Sequence, residues 1–422
     1  MLISSSGALM DSLRQHQLLT AAQCAELPQL AQGRCGDARA LAKTLIQRGW
    51  LSVFQVNQLL FGKGEELIIG PYLVLERLGQ GGLSSVFHAR HREHDNQVAI
   101  KLIKPEVFAS PEGRKAFLQE VEAMARLDHA NIVQFCDADQ WRDTYYFAME
   151  YVEGTDLGKV VRLSGALPVQ QACDYIRQSA LGLQHAYERN LIHRDIKPVN
   201  LFLTQVPLEV RRAAESLFAT RQEQASPAAL GKDTVLTRPL IKILDWGLAS
   251  LRSPKGLGEI ESSENVAKSL VGTADYLSPE QARNANMVDI RGDIYSLGCS
   301  LYFLLTGQAP FPDGSLMQKI LQHQTAAPRP IADFRDDVPA DVIAIVQRML
   351  AKDPNDRFQT PASAALALLS FARRTASLTG NLGVMPASRP SPTPSVRDDT
   401  PLPAALDAKP NPADNSTRFL SR

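Results

Sequence analysis

The 422-residue chain has no excess charge of either sign, with 45 Lys and Arg against 45 Asp and Glu. Sequence-independent binding to nucleic acid needs a basic surplus that releases counterions from phosphates, so bulk charge excludes that class. Any polyanion must be met by locally placed cations. Cysteine is scarce and unpatterned: Cys24, Cys35, Cys136, Cys173 and Cys299 are odd in number and contain no C-x-x-C. Neither a disulfide framework nor a structural zinc site is readable, and a reducing, cytoplasmic compartment is expected. Met1 to Met10 lack the cationic start of a secretion signal, and no apolar run approaches the roughly 18–20 residues of a membrane span. A soluble chain without its own anchor is therefore expected. Wholesale disorder is excluded too, because 44% hydrophobic residues over this length can bury a sizeable core.

What is present falls into three parts. From Pro386 to Arg422, 8 of the 26 prolines lie in 37 residues with few large apolar side chains, too little to offset ordering entropy. Residues 376–422 read as a disordered, proline-rich tail. Residues 1–67 read as a helical module. Thr20 with Gln23 and Ser52 with Gln55 are capping-box pairs, and Leu41/Leu45 and Ala42/Ile46 recur at helical spacing before a stop at Gly49. Val53, Val56 and Leu60 continue the helical period. The module shows no chemistry of its own and should pack on itself or on the region C-terminal to it. Residues 72–372 are mixed. Strand-like runs at Leu73–Leu78, Val86–Arg90, Val98–Ile103 and Tyr145–Tyr151 surround one helical stretch, Glu112–Leu127, within 72–151. From 152 to 372 the pattern is mostly helical and ends in a helix opened by Thr360-Pro361. A β-rich lobe followed by a helical lobe leaves a cleft, where ligands bind.

Chemistry-bearing residues recur in order through this region. Gly79-Gln80-Gly81-Gly82-Leu83-Ser84-Ser85-Val86 is glycine-dense between two strand signals. Such a loop lets backbone N–H groups approach a phosphate, and equally it makes a plain hairpin turn. Lys101 ends the apolar run Val98-Ala99-Ile100. It is either a surface lysine or one end of an ion pair, with Glu120 on the intervening helix as partner and Glu122 as its rival. His193-Arg194-Asp195-Ile196-Lys197-Pro198-Val199-Asn200 is the strongest segment. It holds a carboxylate able to take a hydroxyl proton, an ammonium for a phosphoryl group and an amide oxygen for a hard cation. Asp245, in Ile243-Leu244-Asp245-Trp246-Gly247, is a second cation ligand or merely a turn aspartate.

Together these motifs resemble the protein kinase superfamily, in particular the bacterial eukaryotic-like Ser/Thr kinases, over about 72–372. The resemblance extends to Gly272-Thr273-Ala274-Asp275-Tyr276-Leu277-Ser278-Pro279-Glu280, to Asp293 in Asp293-Ile294-Tyr295-Ser296-Leu297-Gly298, and to Arg357 as partner of Glu280. It implies an α+β, bilobal kinase fold: a small β-rich lobe with one key helix at 72–151, and a larger helical lobe at 152–372. It also implies transfer of the γ-phosphate of Mg·ATP to Ser or Thr hydroxyls of proteins. By position, Asp195 would be the base and Lys197 would stabilise the transferred charge. Lys101 and Glu120 would pair on the phosphates, and Asn200 and Asp245 would hold Mg²⁺. Leu78, Gly79, Gln80, Gly81, Gly82, Leu83, Ser84 and Ser85 would cover the nucleotide. Val86, Ala99 and Phe202 would sandwich the adenine, with Met149 behind it and the backbone of Glu150 and Val152 at its edge. Arg194 implies activation by autophosphorylation of Ser250, Ser253, Ser262, Ser263 or Ser269, with 262–269 favoured, and possible self-association for that step in trans.

Three departures from the family pattern stand out. Trp246 replaces Phe and must fill the slot behind Glu120, against Met124, Phe135 and His193. Ser84 replaces the third loop glycine. The 45 positions from Asn200 to Asp245 exceed the family's spacing, which marks an insertion at about 207–239, either a tolerated surface loop or a docking element. A catalytically silent scaffold and a small-molecule phosphotransferase are the competing functions. The complete set of catalytic positions disfavours the first, and the Gly272–Glu280 segment disfavours the second.

Overall fold

A strand buried on both faces reads as an unbroken apolar run, and Val98-Ala99-Ile100-Lys101-Leu102-Ile103 is one except at its lysine. In the computed structural model it is β4, Gln97–Ile103, near the middle of a six-stranded antiparallel sheet. The structure describes residues 3–32, 37–81, 84–105, 111–207, 237–246, 274–283 and 288–372. All of them lie within one compact unit, Met1–Leu382. The tail expected at 376–422 lies outside the described residues, as do Gly82, Leu83, Thr273 and the activation-segment serines.

Four helices come first: α1 Ser6–Gln15, α2 Ala21–Gln32, α3 Ala38–Gln47 and α4 Val53–Leu60. Their ends obey the capping signals. Thr20 and Gln23 satisfy each other's backbone N–H, and so do Ser52 and Gln55. α3 stops where Gly49 takes φ 68, with the Trp50 N–H turned back to Leu45 O. The sheet comes next, ordered β1 (Ile68–Ile69), β2 (Tyr72–Gln80), β3 (Ser84–His91), β4, β6 (Thr144–Glu150) and β5 (Phe135–Trp141). Helix α5, Pro111–Met124, lies in sequence between β4 and β5.

Register assigns the two faces of this sheet. Val86 pairs with Lys101 and His88 with Ala99, while Lys101 pairs with Phe147 and Ala99 with Met149, so these side chains share one face. The alternate residues Ala89, Val98, Ile100, Tyr146 and Ala148 share the other. They belong to one apolar core with Leu9, Leu13, Leu41, Leu45, Val56 and Leu59 of the helices. The helical module therefore has no core separate from the sheet's.

The second lobe begins with β7 (Thr155–Asp156), α6 (Leu157–Ser164) and α7 (Val169–Tyr187). After them comes a hairpin of β8 (Leu201–Pro207) and β9 (Thr237–Ile243), paired antiparallel as far as Pro207 with Thr237. The ends of the expected 207–239 insertion are thus strand, and only 208–236 lies between them. Then come α8 (Pro279–Arg283), α9 (Ile290–Thr306), α10 (Leu316–Thr325), α11 (Ala340–Met349) and α12 (Pro361–Ala372). The second core is built largely from α7, α9 and α11 to α12. This is the α+β, bilobal architecture expected from the resemblance, preceded by a helical module. Among the described residues no helix is long and apolar enough to cross a membrane.

A short turn joins the lobes. Asn131 Nδ2 donates to Ile241 O at 2.8 Å, the Ile243 N–H donates to Asn131 O, and the Val133 N–H donates to Ile243 O. The turn is held in part by His129 Nδ1, which accepts the Asn131 N–H at 3.1 Å. Burial, and after it the nearby His185, lowers the His129 pKa to about 4. Burial does the same to His323, whose ring packs on Phe311 and accepts from or donates to Tyr295 Oη at 2.9 Å.

Both histidines titrate near 6.5 when unfolded, so between about pH 6.5 and pH 4 the unfolded chain binds more protons. Stability should be lost as pH falls through that window, with no contribution from these groups above it. Thermal melts of wild type and His323→Gln at pH 7.5, 6 and 5 should show the gap between them narrowing on acidification. Deleting residues 1–67 should leave an insoluble chain, judged by recovery after centrifugation, because it exposes a whole apolar sheet face.

Candidate active site

The cleft face of the sheet presents Val86, Ala99, Lys101 and Met149 on neighbouring strands. β2 and β3 close above them in the glycine-rich turn, where Gly79 pairs with Val86, Gln80 with Ser85, and the Gly81 N–H donates to Ser84 O at 2.8 Å. Leu78 is exposed just before it. At the rim, His88 stacks on Tyr151, with ring centroids 3.8 Å apart and planes 11° from parallel. Glu150 has its carboxylate tied to Lys242 Nζ at 2.6 Å and to the Gln134 N–H at 3.2 Å, while Val152 packs on the second lobe's core. Phe202 enters from β8 opposite Lys242.

Lys101 keeps 3% of its surface exposed, and its Nζ meets Asp245 Oδ1 at 2.8 Å. The Glu120 side chain lies outside the described residues, so Asp245 is the described partner of this lysine. Asp245 itself takes φ 61 two residues beyond β9. The next side chain, Trp246, is buried. Its Nε1 donates to Ile243 O at 3.2 Å, and its ring meets His193 edge-on at 4.8 Å. Trp246, Met124 and Phe135 line one small cavity of about 30 Å³ beside Lys101.

The loop from His193 to Asn200 is held at its start by a buried carboxylate. Asp293 Oδ2 accepts the His193 N–H and Oδ1 the Arg194 N–H, each at 2.7 Å. Burial raises the Asp293 pKa, and these two N–H bonds oppose that. Such bonding holds Arg194 at φ 63, a conformation costly for a residue with a side chain. His193 Nε2 lies 2.8 Å from Leu244 O and its Nδ1 accepts the Asp195 N–H at 3.2 Å, which makes Nε2 the protonated nitrogen of a neutral ring.

Asp195 is 9% exposed, with Oδ1 2.9 Å from Lys197 Nζ. Asn200 Nδ2 donates to Asp195 O at 2.7 Å and to Oδ2 at 3.3 Å, directing its amide oxygen away from Asp195. The Leu244 N–H donates to Asn200 O, and Leu201 pairs with Ile243, so Asn200 and Asp245 flank one strand pair. Both offer hard oxygen donors, which suits Mg²⁺. Among the described residues no group of three His, Cys, Asp or Glu could hold a metal. A cation here would take its remaining ligands from phosphate oxygens or water.

One supporting residue escaped the sequence reading. Gln281 Nε2 donates to Arg194 O at 2.7 Å, while its Oε1 accepts the Ser278 N–H and hydroxyl. The signal was readable, since Ser278-Pro279-Glu280-Gln281 has the S-x-x-Q spacing of a capping box. Beside it, the Arg357 guanidinium is 0% exposed and holds Glu280 in a two-pronged pair at 2.7 and 2.9 Å. Its other hydrogen bonds go to Ala351 O, Arg291 O and Lys352 O. Gly292 leaves room for that pair: a methyl there would lie 2.8 Å from Val288 Cγ1 and 3.3 Å from Glu280 Oε1.

The family model for the protein kinase domain matches residues 72–367. Serine/threonine-protein kinase PknB of Mycobacterium leprae (strain TN) is 32% identical over 289 residues, which are 68% of this chain and 40% of that protein. Serine/threonine-protein kinase PrkC of Bacillus subtilis (strain 168) is 31% identical over 293 residues, 69% of this chain and 39% of that protein. The chain thus spans less than half the length of these curated relatives. The crystal structure of the Mycobacterium tuberculosis PknI kinase domain is similar with a TM-score of 0.51 at 25% identity, covering 72% of this chain and 98% of that one. The matched stretch contains both lobes and every residue of the cleft, and this chain belongs to the protein kinase family.

Proposed function

We propose that the protein is a serine/threonine protein kinase that transfers the γ-phosphate of ATP to Ser and Thr hydroxyls of proteins, its own included. The observation that supports it best is the grouping of Asp195, Lys197 and Asn200 on a loop pinned by Asp293, across the cleft from a buried lysine. Adenine lies between Val86, Ala99 and Phe202, with Met149 behind it and the Glu150 and Val152 backbone at its edge. The turn from Leu78 to Ser85, through Gly79, Gln80, Gly81, Gly82, Leu83 and Ser84, covers the phosphates. Lys101, oriented by Glu120, holds the α- and β-phosphates.

Asp195 orients the acceptor hydroxyl and takes its proton, while Lys197 meets the charge on the transferring group. Asn200 and Asp245 would hold Mg²⁺, which when bound neutralises charge on the phosphate oxygens. Arg194 Nε is buried with no hydrogen-bond partner among the described residues. A phosphoserine from the segment containing Ser250, Ser253, Ser262, Ser263 and Ser269 would satisfy it, the regulation this reading includes. A cytoplasmic setting is part of the proposal, in keeping with Cys24, Cys136, Cys173 and Cys299 all being free thiols. No specific observation favours the silent-scaffold alternative.

Radiolabel from γ-labelled ATP should enter wild-type protein. Asp195→Asn should reduce incorporation by about 10²–10⁴-fold while binding of the nucleotide survives. Equal labelling of the two proteins would refute the assignment. Asp293→Asn replaces one acceptor with a donor facing an N–H, so the loop should shift and kcat should fall by about 10²-fold with little change in ATP affinity.

A further inference from the structure

The protein kinase match begins at residue 72, and the helices before it take no part in the cleft's chemistry. Their most specific contact with the sheet is at one point of β2. Among the described residues, that strand has a strand neighbour on its outer side only at Tyr72 and Leu73, where β1 pairs with it. Beyond Leu73 no described strand pairs with this edge, and its backbone carbonyls need donors. The strand is irregular at the same place. Its register against β3 slips between Val74 and Glu76, making Leu75 the extra residue of a bulge, and slips again between Arg77 and Gly79.

α4 begins here. Ser52 donates its hydroxyl to Leu75 O, and Gln55 Nε2 donates to Val74 O at 2.8 Å. The same two side chains form the capping box of α4, with Gln55 Oε1 accepting the Ser52 N–H at 2.9 Å and Ser52 Oγ accepting the Gln55 N–H at 3.1 Å. Gln55 is 2% exposed, and a buried amide is tolerated only when both its ends are bonded. One of those ends is bonded to the strand.

We propose that Ser52 and Gln55 are positioning residues for the nucleotide, fixing the β2 bulge and with it the glycine-rich turn at the strand's end. The inference rests on the kinase reading of the cleft. A bulge bends and twists the strand that contains it, and Leu78, Gly79, Gln80 and Gly81 lie at and just beyond the second slip. α4 packs on the opposite face of the sheet from Lys101, where Phe54 meets Phe87 with centroids 6.2 Å apart, so its influence on the cleft passes through the strand. With the carbonyls released, β2 samples other arrangements. The nucleotide-competent fraction then falls and apparent affinity falls with it, while the bound complex reacts as before.

Gln55→Glu separates capping from positioning: the carboxylate still accepts the Ser52 N–H but has no donor for Val74 O. Thr20→Ala is the control, removing the same kind of cap from α2, which packs on α1 and α3. In the full chain, calorimetric titration with the non-hydrolysable analogue adenylyl imidodiphosphate and Mg²⁺ should show about 5–30-fold weaker binding for Gln55→Glu. The KM for ATP in autophosphorylation should rise in step with kcat unchanged, and amide exchange in residues 72–81 should quicken. Ser52→Ala should act in the same direction and decides the matter if Gln55→Glu does not fold. Thr20→Ala should leave all three readings at wild-type values. Wild-type analogue affinity in both β2-facing variants, or equal weakening by Thr20→Ala, would overturn the inference. A wild type that bound no analogue would sink the kinase reading instead, and exchange in 72–81 would still decide whether the clip holds the strand.

Discussion

An ammonium group with 3% of its surface in water has to be met by a carboxylate, and the two lobes are arranged around that need. Lys101 stands on β4, in the first lobe. Asp245, which meets it, lies 144 residues later at the end of β9. To bring the two together, β9 must be seated against the Asn131 turn, and Asp245 must leave the strand in a left-handed conformation. Trp246 then turns inward under His193. Buried ion pairs are a weak source of stability and a strong determinant of geometry. The pair sets where positive and negative charge stand at the floor of the cleft.

The sheet serves two neighbours at once. Its cleft face presents Val86, Ala99, Lys101 and Met149, and its other face is sealed by α1 to α4 in a shared core. That is why β4 is apolar at nearly every position, whereas a half-exposed strand would alternate. Rigidity on the helical side leaves the cleft side free to be polar where chemistry needs it. The second lobe uses a different device. There a single carboxylate, Asp293, and a single amide, Gln281, bond the backbone at the start of the His193–Asn200 loop.

Legibility from sequence tracked the strength of local signals. The capping boxes at Thr20 and Ser52, the stop at Gly49 and the run of β4 were readable because each is decided within a few residues. β5 was not. It is the edge strand of the sheet, and Phe135-Cys136-Asp137-Ala138-Asp139-Gln140-Trp141 leaves half its side chains near water, so no apolar run announces it. β1 and β7, two residues each, exist only because a neighbour pairs with them. In the cleft, Asp195, Lys197, Asn200 and Asp245 were named by their order along the chain. That Lys101 would meet Asp245 was not, because a pairing across 144 residues depends on how the lobes close. The packing of the helices on the sheet was left open for the same reason: a helical period says that a face is apolar, not what covers it.

The shared core also sets an order of events during synthesis. Helices α1 to α4 leave the ribosome before the sheet, yet Val56 and Leu59 share one core with Ile100, Tyr146 and Ala148, which emerge some 40 to 90 residues later. For that interval the helices have only one another to cover their apolar faces. These helices therefore become fully native only with the sheet, and until then they offer a chaperone on the emerging chain a place to bind.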